Sequence, residues 1–113
     1  MKLSNKFHEN VKEIIHSDDG RFLVKIYGDS MVDANIKDGD TVLIEESKEF
    51  LSGDIVLAYN TEKNAVIARF MSVDEPPYVY LKLENSNYPN ILFTDSIRMK
   101  GKIVSVIKKQ QNS

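Results

Sequence analysis

Arg21-Phe22-Leu23-Val24-Lys25-Ile26-Tyr27 alternates strictly, with Phe22, Val24 and Ile26 on one side and Arg21, Leu23 and Lys25 on the other. A period of two is the mark of a β-strand with one buried face. The run passes directly into Gly28-Asp29-Ser30-Met31. Glycine lets the chain turn sharply there, so the strand ends and the Ser30 hydroxyl is expected at an edge of the sheet. The backbone N–H groups around Ser30 and Met31 would face an oxygen bound beside it.

Downstream the same texture repeats. Lys37-Asp38-Gly39-Asp40 is a turn that feeds a strand over 41–46, and Leu51-Ser52-Gly53-Asp54 opens a second over 55–59. Asn60-Thr61-Glu62-Lys63-Asn64 reads as a hairpin loop into a strand over 65–73. Further strands are expected over 78–83, 91–93 and 99–107, and a polar, disordered tail over 109–113. Upstream, Phe7, Val11, Ile14 and Ile15 recur at helical spacing behind Ser4, a suitable N-cap, which predicts a short helix over 4–15. Ser17-Asp18-Asp19-Gly20 then turns into the first strand, and His8 and His16 are expected to face solvent on the helix. The expected architecture is therefore mainly β, a twisted antiparallel sheet or partly open barrel led by one short helix. Residues 1–20 form the leading segment, 21–108 the domain proper.

Composition narrows the function classes. The 113 residues suit one small domain, and 42% apolar content supports a real core. Fifteen basic against seventeen acidic side chains give a net charge of −2, so direct nucleic-acid binding is disfavoured. No apolar run approaches the roughly 20 residues of a membrane-spanning helix. Without cysteine there is no disulfide, thiol nucleophile or thiolate metal site, and the two histidines lack metal-ligand company. A cytosolic domain with no metal and no cofactor is the expectation.

Taken in order, Gly28-Asp29-Ser30-Met31, Ile36-Lys37-Asp38-Gly39-Asp40 and Gly53-Asp54-Ile55-Val56 resemble the serine-peptidase domain of the LexA/UmuD family of self-cleaving repressors and mutagenesis proteins. Glu84-Asn85-Ser86-Asn87-Tyr88-Pro89 is similar to that family's asparagine-serine loop, and Gly101-Lys102-Ile103-Val104-Ser105-Val106-Ile107 to its closing strand. The resemblance spans about residues 21–108 and implies a Ser–Lys dyad. Ser30 would be the nucleophile, and a buried, neutral lysine on a later strand would be its general base. It also implies an oxyanion hole at Ser30 and Met31, with Gly28, Asp29 and Asp38 shaping the site.

Here the chain departs from the family. Where the lysine belongs, it reads Ala65-Val66-Ile67-Ala68-Arg69-Phe70. Anchoring on Arg69 puts Ala68 at the base position; aligning the hairpin loop without an insertion puts Ile67 there. Neither accepts a proton, and the Arg69 guanidinium stays charged. Little or no peptidase activity is expected, whether the alanine is an introduced substitution or that of a naturally inactive relative. Val66, Ala68 and Phe70 share one strand face and supply apolar walling.

The family's substrate is a peptide segment with a small-residue–Gly bond upstream of the serine. The 29 residues before Ser30 hold only Gly20 and Gly28, so self-cleavage in cis is not expected here. The resemblance further implies a homodimer through the closing strand, a stress or DNA-damage response, and an activated recombinase filament as partner. A signal-peptidase-like enzyme is the enzymatic rival, but nothing here supplies its membrane anchor. A non-catalytic dimerisation module of a repressor is the alternative from another class. Asp40 and Asp54, beside turn glycines, are expected to serve local backbone bonds.

Overall fold

Alternating runs punctuated by glycine turns become the strands of a single sheet in this computed structural model, which describes residues 2–17 and 19–110. Among the described residues there are nine strands: β1 (Leu3–Ser4), β2 (Val11–His16), β3 (Arg21–Ile26), β4 (Thr41–Glu46), β5 (Ile55–Asn60), β6 (Ala65–Ser72), β7 (Val79–Lys82), β8 (Asn90–Leu92) and β9 (Ile97–Ile107). They lie in the order β1-β8-β7-β6-β5-β9-β4-β3-β2. Every pairing is antiparallel except that of β1 with β8. The sheet is open, yet the segment entering β2 returns to β6, where the Asn10 N–H donates to the Ala65 carbonyl at 3.3 Å.

Strand β3 buries Phe22, Val24 and Ile26 as its alternation requires, and β4 answers with Val42 and Ile44. Strands β5 and β6 bury both faces at their centres: Val56, Leu57 and Ala58 on one, Ala65 to Ala68 on the other. That is why these two strands read as continuous apolar runs. The core is closed by Met31 and Ile36 from the β3–β4 connection and by Leu81, Leu83 and Ile91.

Between β4 and β5 runs β9, which needs a glycine there. A Cβ on Gly101 would lie 2.2 Å from the Glu45 carbonyl oxygen. Opposite Leu43/Ile44 and Leu57/Ala58 the register skips Val104 and Lys100, so β9 itself bulges against both neighbours.

The helix expected over 4–15 does not form; residues 3–4 and 11–16 are strands. The reason is a bulge. Val11 faces Ile26 and Ile14 faces Val24, with the register shifting between Val11 and Glu13. One inserted residue places Val11 and Ile14 on the same face of a strand at a spacing of three, which imitates a helical period. His8 is half-buried instead of solvent-facing, its ring 4.6 Å from that of Tyr88. Met1, Asp18 of the expected turn and residues 111–113 of the expected disordered tail lie outside the described residues. At its near end that tail is anchored: the Lys109 N–H donates to Asp40 Oδ1 at 2.9 Å and Lys108 Nζ reaches Asp40 Oδ2 at 2.6 Å.

Candidate active site

The chain leaves β3 at Tyr27 and turns at Gly28, whose φ of +80° is costly for a residue with a side chain. Asp38, ten residues on, accepts the Gly28 N–H through Oδ1 at 2.8 Å and sets the width of the loop. A short 3-10 turn, Val32–Ala34, ends in Asn35 at a left-handed φ of 59°. The loop is clamped from the other side. Asn85 Nδ2 donates to the Asp29 carbonyl at 2.9 Å, and the Tyr88 hydroxyl donates to the Asp29 carboxylate. The Asp33 N–H reaches the Glu84 carbonyl at 2.8 Å, and the Glu84 N–H donates to the Met31 thioether at 3.3 Å. The bond to Asp29 holds the Tyr88 phenol above its usual pKa.

These turns and clamps fix Ser30, which is 2% exposed. The hydroxyl is not presented openly at the edge, as expected from sequence; the Asn10 side chain covers it. Asn10 Nδ2 donates to Ser30 Oγ at 2.9 Å and to the Ile67 carbonyl at 2.9 Å, while Asn10 Oδ1 accepts the Ile67 N–H at 2.7 Å. The Asn10 carbonyl accepts the Tyr27 N–H at 2.9 Å, which ties the same residue to the end of β3. One nitrogen thus bridges the Ser30 hydroxyl and the peptide bond that joins Ile67 to Ala68. Among the described residues, neither the Ser30 nor the Met31 N–H donates to a protein acceptor.

Gly28, Asp29, Ser30, Met31 and Asp38 thus share one loop, and Ala68 lies on the strand that Asn10 joins to it. Ala68 is fully buried beside its cross-strand partner Val56, with Val66 and Phe70 also buried on β6. An amine here would be stripped of water, which favours its neutral form. Among the described residues, no cation takes its place. Arg69 is spent on Glu84 Oε1 (2.8 Å) and the Gly53 carbonyl (2.6 Å), Lys82 lies 3.6 Å from the same carboxylate, and Lys63 is exposed in the β5–β6 turn. The serine has a scaffold, two uncommitted N–H groups and an amide neighbour, but among the described residues no basic side chain is hydrogen-bonded to it.

Asp40 and Asp54 serve their turns. The Asp40 carboxylate accepts the Lys37 N–H at 2.9 Å, and that of Asp54 accepts the Leu51 N–H at 2.9 Å. Burial alone would push the Asp40 carboxyl up, but Lys108 and the N–H groups of Lys109 and Lys37 together outweigh it and hold the pKa below its usual value. An apolar cavity of about 250 Å³ under Ile14, Phe22 and Leu57 does not touch Ser30. Among the described residues, no three histidine, aspartate or glutamate side chains are grouped to hold a metal ion, and no helix is long and apolar enough to cross a membrane.

Sequence reasoning missed Asn10 entirely. Its partners lie 20 and 57 residues away, and a polar residue ahead of a strand carries no local signal. Asn85 and Tyr88 were visible only as members of a loop resemblance, without their roles as clamps on Asp29.

Residues 4–104 match the Peptidase S24-like family. The chain is 34% identical over 97 residues to the LexA repressor of Geobacillus sp. (strain WCH70), an alignment covering 86% of this chain and 45% of that protein. With the LexA repressor of Clostridium perfringens (strain 13 / Type A) it shares 35% identity over 106 residues, 94% of this chain and 50% of the relative. With that of Halalkalibacterium halodurans the figures are 33% over 106 residues, 88% and 50%. The chain spans about half the length of these curated relatives.

Proposed function

This chain belongs to the Peptidase S24-like family, and on that premise we propose that it is a LexA-like Ser–Lys peptidase domain in which Ser30 holds the nucleophile position and Ala68 replaces the lysine base. The observation that carries this reading is the shared Asn10 nitrogen. It sets the Ser30 hydroxyl beside the Ile67–Ala68 peptide, in a setting from which water is excluded. The N–H groups of Ser30 and Met31 are available to a developing oxyanion, and Asp38 and Asp29 hold the loop that carries them.

Chemistry at such a site would proceed by attack of Ser30 Oγ on a peptide carbonyl, with the hydroxyl proton passing to the base and then to the leaving amine. With a methyl group at residue 68 the proton has no acceptor, and losing a general base costs about two to four decades in rate. The chain as written is silent or nearly so. Its substrate is a peptide segment with a small-residue–Gly bond. As the printed name of its relatives says, the whole protein is a repressor; the cytoplasm, a stress or DNA-damage response and a recombinase filament that prompts self-cleavage in members with an intact dyad are what the family resemblance adds.

Ala68→Lys, assayed at alkaline pH against a peptide with an Ala–Gly bond, tests this. Cleavage is expected to appear and to vanish again in Ala68→Lys/Ser30→Ala. A folded Ala68→Lys chain with no Ser30-dependent cleavage would overturn the peptidase reading, as Ser30-dependent turnover by the unaltered chain would overturn its silence.

A second reading, a dimerisation module, is favoured by β9. Its pairing with β5 ends at Val56↔Lys102, while its pairing with β4 continues to Thr41↔Ile107. One edge of residues 103–107 is thus bare, with Val104 and Ile107 each about half exposed. A second copy related by a two-fold axis fits such an edge, and the two readings are compatible.

A further inference from the structure

Strand β7 covers β6 only from Arg69 to Ser72, so the preceding stretch of that edge, Ala65 to Ile67, has no strand beside it. It is nevertheless satisfied. Asn10 gives its own N–H to the Ala65 carbonyl, and its carboxamide takes the Ile67 N–H and returns one to the Ile67 carbonyl at 2.7 and 2.9 Å. A carboxamide has the same acceptor and donor as a peptide unit, and these distances are those of a sheet. The second hydrogen on Nδ2 goes to Ser30 Oγ. An amide group therefore already rests within hydrogen-bond reach of the hydroxyl that would attack one.

We infer that the β6 edge from Ala65 to Ile67, with Ser30 beside it, is the seat of an extended peptide, and that the Asn10 carboxamide occupies it as an intramolecular stand-in for a peptide bond and keeps it shut. This rests on the peptidase reading above. The segment that carries Asn10 is fastened along its length: β1 pairs with β8, the Asn90 N–H donates to the Lys2 carbonyl at 2.9 Å, and His8 packs on Tyr88. Asn10 is 1% exposed, so neither solvent nor peptide reaches the edge until its side chain leaves. Removing the carboxamide frees the Ile67 N–H, the Ile67 carbonyl and Ser30 Oγ together. Each is costly to leave unmade, and the backbone of an extended peptide satisfies the first two in register. Asn10 is on this view a gating residue, distinct from a staple that only closes the sheet.

Because the chain carries Ala68, a peptide can be bound without being consumed. A fluorescein-labelled extended peptide containing an Ala–Gly bond is titrated by anisotropy against the unaltered chain and Asn10→Ala, with hydrogen exchange of the Ile67 amide followed in both. Asn10→Ala is expected to bind at least tenfold more tightly, and the bound peptide to slow exchange at Ile67. Equal affinity within twofold in a folded variant would overturn the inference, and so would tighter binding that leaves Ile67 exchange untouched. If Asn10→Ala does not fold, Asn10→Ser, which keeps a small polar group at the position, is read by the same two measurements.

Kinetics in the Ala68→Lys background separate this inference from the one it rests on. Adding Asn10→Ala is expected to lower KM tenfold. An active Ala68→Lys chain whose KM ignores Asn10 defeats the gate alone. A silent Ala68→Lys chain, alongside Asn10→Ala that still gains peptide binding at Ile67, defeats the peptidase reading and leaves the seat standing.

Discussion

Strands β6 and β9 each outrun a neighbour and are left with a length of unpaired edge, yet the molecule treats the two edges oppositely. At β6 the bare stretch lies inside, with Ile67 wholly buried, and the chain fills it with its own carboxamide from Asn10. At β9 the bare stretch lies outside, where Val104 and Ile107 are half exposed, and nothing of the chain covers it among the described residues. Burial makes the difference. An orphaned backbone group costs free energy where water cannot reach it, so an interior edge must be closed from within. An exterior edge can be left to solvent or to a second copy.

Gly101 offers the hardest blow to this contrast, because it sits where β9 is still clasped on both sides, just before its edge goes bare. Gly101→Ala, whose Cβ would meet the Glu45 carbonyl, is expected to cost about 3 kcal/mol in urea unfolding. A loss below about 1 kcal/mol would mean that β4 and β9 can part easily, and that the covered and bare lengths of β9 scarcely differ. Val104→Lys acts on the bare length alone. It is expected to weaken self-association at least tenfold, about 1.4 kcal/mol, in sedimentation equilibrium, without disturbing the fold of the protomer. Unchanged association would put any dimer contact elsewhere.

The smallest effect is expected from Asp40→Asn. Asp40 grips Lys108 and Lys109 immediately beyond the bare edge, and losing that charge-assisted grip should cost about 1 kcal/mol at neutral pH. The sign in acid follows from its lowered pKa. A carboxyl whose pKa is depressed on folding stabilises fully above its unfolded value, about 4, and loses that contribution as pH falls through the folded value. The acid limb of the stability profile should therefore flatten in Asp40→Asn; an unchanged limb would assign it to other carboxylates.

What the sequence disclosed tracks how local each determinant is. The turn at Lys37–Asp40 was legible because its bonds are local: Asp40 accepts the N–H three residues back and Gly39 takes a φ of +85°. Strands β4 and β5 followed from that and from the turn at Gly53. The β2 segment was misread because a bulge gave a strand the spacing of a helix, a conflict only its partner β3 resolves. Ser30 was singled out through an ordered set of short motifs, whereas nothing in them pointed to the side chain that covers its hydroxyl. Asn10 does its work through contacts with Ser30 and Ile67, far off in the chain, and no window of sequence holds both ends.

The position of β9 bears on how the domain assembles. Among the described residues it is the last strand in chain order yet lies between β4 and β5, and no other strand of the sheet order separates β2-β3-β4 from β5-β6-β7-β8. During synthesis β4 and β5 lack the strand they share until β9 has been made. Completion of the domain thus waits on a late, sequence-distant docking event, the kind of topology that folds slowly and keeps half-built sheets exposed meanwhile.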